Sequence, residues 1–277
     1  MTGALARGIL VALLIATPAL MLPGVAADSS QITILIALLA AFLTFVEYNS
    51  SFPSIIEYRD APPFNRLRFS SLAITVFMLS SIFLGQTDPS ALTHAMTSIA
   101  TIVGNALDMP FSPVRLVVLS LPDTAAAGTV NTVRISAALA YLISLFTISG
   151  ILILVRFLNW PASKGAFNVW VNLPLFDPTA GGDVIFRLQR DARFNIVLGF
   201  LLPFLIPAVV KLASDLIHPF TLNNPQTLIW TLSAWAFLPA SLIMRGIAMA
   251  KVADMIQDKR RRAYADAEAE ASSFQAA

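Results

Sequence analysis

Few side chains in this sequence have the type and spacing for chemistry. His94 and His218 are the two imidazoles. Such a pair would ligate a metal or a haem iron only if both rings were buried at matching depth. His94 lies in a stretch of helical periodicity between apolar runs, and His218 precedes Pro219 between two others, so ordinary interfacial histidines are expected. Cysteine is absent. That removes disulfides, thiolate metal sites, iron–sulfur clusters and thiol nucleophiles. The patterns H-E-x-x-H, G-x-S-x-G and G-x-x-x-x-G-K-[ST] do not occur. Gly181-Gly182 ahead of a helix start has the form of a phosphate cradle, but no Lys or further Gly accompanies it. The sequence therefore predicts no catalytic residue, no cofactor and no metal site.

The residues that do stand out are polar, and they fall between apolar runs. One segment carries Tyr58, Arg59, Pro62, Pro63, Phe64, Arg66 and Arg68. Pro62-Pro63 predicts a stiff, extended backbone. Its arginines alternate with aromatics, a pattern that suits lipid headgroups and equally suits a protein partner. A second segment, 159–195, holds Trp160 and Trp170 as expected interface anchors. Asp177 opens a turn-rich stretch there, and Asp183 is placed to cap a helix. Beyond it Arg187, Arg190 and Arg193 share a helix with the apolar stripe Val184, Ile185, Leu188 and Ala192. These are the candidate contacts to a headgroup or a partner.

What must position these segments is an apolar scaffold. The chain is 57% hydrophobic and 12% charged, with mean hydropathy +0.75. A soluble domain is about a quarter charged, so the bilayer is the solvent that tolerates this composition. Six apolar runs lie near 8–26, 29–46, 69–85, 135–155, 196–213 and 226–244. Each approaches the ~20 residues that a helix needs to cross ~30 Å of hydrocarbon. Barrel strands would alternate apolar and polar residues, and these runs do not. The fold expected is an all-α, polytopic transmembrane helical bundle over 1–250, followed by a basic and then Ala/Glu-rich tail over 251–277.

The first run has two readings, a membrane span or a cleaved signal peptide, because Val25-Ala26-Ala27 resembles a peptidase site. A span is the expectation, given the run's length. Pro203 and Pro207 lie on one face of the fifth run and predict a kink. Ser136, Ala140, Ser144 and Thr147 form a small-residue stripe on the fourth, read as a close helix–helix contact. The connection 86–134 is too long for a turn. Leu92, Met96, Ile99, Val103 and Ala106 recur there at helical spacing after Asp88-Pro89-Ser90, predicting an amphipathic helix on the membrane or capping the bundle. The short apolar stretch 114–121 is expected to pack at the interface. Lys211 and Asp215 have the spacing of an i,i+4 pair.

Fifteen of the eighteen basic residues fall in alternate gaps between the runs. The positive-inside rule then puts both termini in the cytoplasm, in a bacterial-type inner membrane. Lys259, Arg260, Arg261 and Arg262 are expected to face anionic headgroups, so their juxtamembrane position explains them without nucleic acid. The span centres hold no ionisable group, which argues against proton-coupled transport. The expected function is non-enzymatic: a subunit, assembly factor or scaffold, with a membrane protein or a second copy as partner. The alternative is a transporter, channel or lipid-handling protein.

Replacing Arg59 and Arg66 together by Lys keeps the charge but removes planar bidentate donors. The expected outcome is loss of partner binding in pull-downs, with membrane insertion intact by fractionation. Unchanged binding would assign this loop to headgroups instead.

Overall fold

A computed structural model describes residues 1–24, 27–161, 167–177, 179, 181–216 and 224–275. Among the described residues all regular structure is helical. The helices are α1 (Thr2–Met21), α2 (Ala27–Asn49), α3 (Phe64–Leu84), α4 (Ala91–Leu107), α5 (Pro113–Leu119), α6 (Ala127–Phe157), α7 (Val169–Asn172), α8 (Val184–Leu216) and α9 (Pro225–Gln275). Six of them, α1, α2, α3, α6, α8 and α9, are long and apolar enough to cross a membrane. Each overlaps one of the six expected runs: α1 ends at Met21, short of the expected 26, and α6, α8 and α9 extend well past theirs into polar sequence. Large apolar side chains such as Leu35, Leu38 and Phe42 on α2, and Val197, Phe200 and Val209 on α8, face outward. A membrane-embedded protein accounts for that surface, since lipid is the solvent such side chains prefer.

The centre is built by α3, α6 and α9. Val76, Leu79, Val133, Ala137, Ala140, Ile229, Leu232 and Ala236 meet there, all buried. The small-residue stripe of α6 faces this centre as expected. Ser144 Oγ donates to the Ala236 carbonyl of α9 at 2.9 Å, and Thr147 Oγ1 lies 2.6 Å from Ser71 Oγ on α3. Small side chains let the helices approach closely enough for these polar contacts.

Helix α8 continues through both Pro203 and Pro207. Pro207 has no N–H for the carbonyl one turn before it, that of Pro203. The indole of Trp235 on α9 donates to that carbonyl at 3.1 Å. A neighbouring helix thus satisfies a backbone group that lipid cannot. The same two helices touch at two glycines. A Cβ at Gly199 would sit 2.6 Å from the Pro239 carbonyl, and one at Gly246 would sit 2.7 Å from the Ala192 carbonyl. At the other edge α1 packs on α2 through Gly8, where a Cβ would sit 2.8 Å from the Ala41 carbonyl. Of the stretch Val25-Ala26-Ala27, Val25 and Ala26 lie outside the described residues.

The long connection contains two helices. Ser90 caps α4 in a capping box with Thr93. The face that α4 buries is Thr93, Ala100 and Gly104, while Leu92 and Ile99 of the expected apolar stripe are exposed. Gly104 explains the choice: a Cβ there would sit 3.1 Å from Ile135 on α6. Met96 and Val103 of the stripe do pack against buried clusters, so the stripe divides between an inward and an outward side. Helix α5 packs inward through Val114 and Val117, with Leu121 just beyond it.

Gly199→Ala and Gly246→Ala should each destabilise the protein by roughly 1–3 kcal/mol, the usual cost of overpacking, because the opposing atoms are backbone. Gly128 is the control. An added Cβ there would meet nothing within 4 Å, so Gly128→Ala should be neutral or better. Thermal unfolding in detergent checks all three.

Candidate functional site

The two polar segments singled out in the sequence, one before α3 and the other between α6 and α8, converge on one end of the bundle. The convergence starts at Glu47 in the last turn of α2. A carboxylate at a helix C-terminus is electrostatically unfavourable unless other donors hold it. Here the backbone N–H groups of Ser54, Ile55 and Ile56 donate to it at 3.0, 2.9 and 3.1 Å, joined by the Ser54 hydroxyl. Along the sequence Glu47 is only a charge at a span end. Its unfavourable position is the signal that something must bind it.

Glu57 comes next. Its carboxylate takes two hydrogen bonds from the Arg245 guanidinium of α9, at 2.6 and 2.8 Å. The Glu57 side chain is 7% exposed and that of Arg245 25%. Tyr58 follows with φ 54°, a conformation that a bulky residue keeps only where its surroundings dictate it. Those surroundings are an aromatic box. The Tyr58 ring lies 4.4 Å from Phe64, 5.6 Å from Trp160 and 6.3 Å from Phe167, centroid to centroid. The Tyr58 N–H donates to the Asn172 carbonyl at 2.7 Å. Asn172 Oδ1 in turn accepts from the Asp60 N–H at 3.0 Å, and the Trp160 indole donates to the Ala61 carbonyl at 3.0 Å. The two loops are one folded unit.

This corrects several expectations. Tyr58 and Phe64 are fully buried, so they serve as core and not as exposed contacts. Trp160, expected as an interface anchor, is buried as well, whereas Trp170 is exposed. Pro62 and Pro63 stand in a turn that leads directly into α3, not in an extended strand. Arg59 turns inward: its guanidinium donates to the carbonyls of Glu47 and Ser50 and contacts Asp60. Buried rings gain more from the box than from the interface, which is why the aromatic spacing read from sequence pointed the wrong way. Burial also pushes the Tyr58 phenol well above its ordinary value of 10.0, and among the described residues its hydroxyl has no hydrogen-bond partner.

The remaining candidates are outward. Asp177 accepts from the N–H and hydroxyl of Thr179 in a local turn. Asp183 receives the Ile185 N–H at the start of α8 and the Arg260 guanidinium at 2.8 Å. The Arg260 hydrogen bond holds the Asp183 carboxyl below its ordinary 3.8. Arg187 lies over the Phe176 ring, 4.9 Å from its centre. Arg190 meets Asp191 at 3.2 Å, and Arg193 donates to its own helix at Gln189.

Two cavities flank the bundle. One, of about 830 Å³, lies where the start of α1, the end of α2 and the start of α3 meet, and Arg7, Arg59, Arg66 and Arg68 line it. The other, of about 640 Å³, lies at the opposite end between α3, α4, α6 and α9, lined by Gln86, Thr93, His94, Thr97 and Thr132. Among the described residues no group of three His, Asp or Glu could hold a metal ion. His218 lies outside the described residues, as does the side chain of Asp215. Lys211 stands 3.8 Å from Asp123.

The fold and this site define a membrane-embedded, all-helical protein with a folded polar module at one end. Comparison of the chain with protein-family models, curated proteins and solved structures finds no match.

The loop unit makes an asymmetric prediction. Glu57→Ala leaves Arg245 without its carboxylate and should cost about 3–5 kcal/mol. Tyr58→Phe removes an unsatisfied buried hydroxyl and should be neutral or stabilising. Thermal unfolding of the purified protein distinguishes them, and a large loss from Tyr58→Phe would mean that the hydroxyl has a partner.

Proposed function

We propose that this protein is a non-enzymatic subunit, assembly factor or scaffold of a membrane complex, engaging its partner through the loop unit and the distal part of α9. In this reading the first run is a span, both termini are cytoplasmic, and the membrane is a bacterial-type inner membrane. The distribution of Lys and Arg supports that orientation. The helix α4 then caps the non-cytoplasmic end.

The observation that carries the reading is α9. It is a single helix of 51 residues, about 75 Å long at 1.5 Å per residue, whereas ~30 Å suffices for the hydrocarbon core. Its buried face ends near Val252 and Ala253, and 257–269 are exposed throughout. Arg260 ties the projecting helix to Asp183 on the loop unit. An exposed helix held at Asp183 in this way offers a surface to a partner. Lys259, Arg261 and Arg262 on the same helix supply charge for anionic headgroups. A membrane protein partner fits this surface, and a second copy of the chain is the simplest such partner.

One observation favours the alternative of a lipid-handling protein, namely the arginine-lined cavity. A channel is less well supported, because the stripe of α6 is consumed in contacts to α3 and α9.

A chain ending at Ile256 keeps every buried residue of α9. It should insert and unfold like the full chain yet lose its partner in mild-detergent pull-downs. A monodisperse monomer from the full chain, with nothing bound, would overturn the reading.

A further inference from the structure

The cavity at the start of α1 and α3 has an unusual charge balance. Arg7, Arg59, Arg66 and Arg68 line it, together with Tyr48 and Asn65, and among the described residues no carboxylate does. Neighbouring acids are already engaged. Glu47 is taken up by the N–H groups of 54–56, and Glu57 by Arg245. Arg59 is partly satisfied by backbone carbonyls and Asp60. Arg7 donates to its own helix at Gly3 and lies 4.5 Å over the Tyr48 ring.

The other two are not satisfied. Arg68 stacks between Phe64 and Phe237, at 5.8 and 6.0 Å, and among the described residues its buried Nε has no hydrogen-bond partner. Among the described residues Arg66 makes no hydrogen bond or ion pair within the chain, and it is exposed at the rim. An orientation signal needs only charge at the membrane surface. It does not require four guanidinium groups converging on one cavity, or burial of a donor without an acceptor. Guanidinium is the side chain whose planar donors match phosphate oxygens in pairs.

The level of the cavity is also informative. Arg7 is in the second turn of α1, Tyr48 in the last turn of α2, and Arg66 and Arg68 in the first turns of α3. All stand at helix ends, where phosphates of the bilayer lie. Leu10, Val11 and Phe69 line the same cavity with apolar surface. Its volume of about 830 Å³ falls within the ~300–1,000 Å³ typical of ligand sites.

We propose that this cavity binds a phosphate oxyanion, with Arg66 and Arg68 as its principal donors and Arg7 and Arg59 supplying further positive charge. The chemistry is common to a phospholipid headgroup and a free phosphate, and the two sources are separable by experiment. The proposal does not rest on the partner reading above.

The test compares the full chain with Arg7→Gln/Arg66→Gln, and with Arg134→Gln/Arg156→Gln, outside the cavity and the loop unit, as a control that removes equal charge elsewhere. In one arm, phospholipid bound to protein purified in mild detergent is counted by native mass spectrometry. In the other, delipidated protein is titrated with inorganic phosphate and its thermal midpoint followed. Retention of phospholipid by the full chain and the control, with at least about tenfold weaker retention by the cavity variant, assigns a headgroup, that factor being the scale of one charge-assisted contact. A phosphate-dependent rise in midpoint that only the cavity variant lacks assigns a free phosphate. Equal behaviour of the cavity variant and the control in both arms overturns the proposal. If the double variant fails to fold, Arg66→Gln alone replaces it, since that side chain is exposed. Partner pull-down on the same preparations keeps the two readings apart: bound lipid lost with partner retained supports this site alone.

Discussion

The Glu57–Arg245 pair is the constraint on which the polar end of this protein depends. It joins a loop to a helix that lies 188 residues further along the chain. Removing two charges from water is expensive, and only two-point geometry comes near to compensating it. Such a pair contributes less to net stability than to uniqueness, because any other register of the loop would strand a charge. With Glu57 fixed, Tyr58 must turn inward at positive φ, and its ring becomes the floor of the aromatic box. Trp160, Phe167 and Asn172 then have a surface to close upon, and the second loop acquires its position from the first.

The membrane part is held together differently. Lipid offers no hydrophobic drive between helices, so contact depends on close approach and on satisfied polar groups. Gly8, Gly199 and Gly246 supply the approach. Ser144, Thr147 and Trp235 supply the polar bonds, two of them to backbone carbonyls. The bond from Trp235 to the Pro203 carbonyl couples two features that look unrelated in sequence. A proline in one helix frees an acceptor, and a tryptophan in another helix takes it.

The basic residues divide by use. Arg245 and Arg59 are structural, and each holds the loop unit from within. Arg260 fastens the projecting helix to the start of α8. Arg190, Arg193 and Arg66 remain at the surface. A count of positive charge per loop reads all of these alike, because topology depends on charge alone, whereas recognition depends on which guanidinium groups are left with free donors.

The sequence alone determined the class of fold and the number of apolar helices, because length and apolarity are local properties that a window of ~20 residues contains. It also located the packing stripe of α6, where small residues recur at helical spacing. It misread Tyr58, Phe64 and Trp160 as surface contacts, since alternation of arginine and aromatic residues looks the same whether the rings face lipid or each other. It did not say which residues of α4 would pack inward, because the close approach of Gly104 to Ile135 is a contact between distant parts of the chain. The pairings of Glu57, Arg7 and Tyr48 carried no local signal. Their roles arise from pairings between distant parts of the chain, and only the tertiary structure decides those, because a charge finds its partner in space and not along the chain.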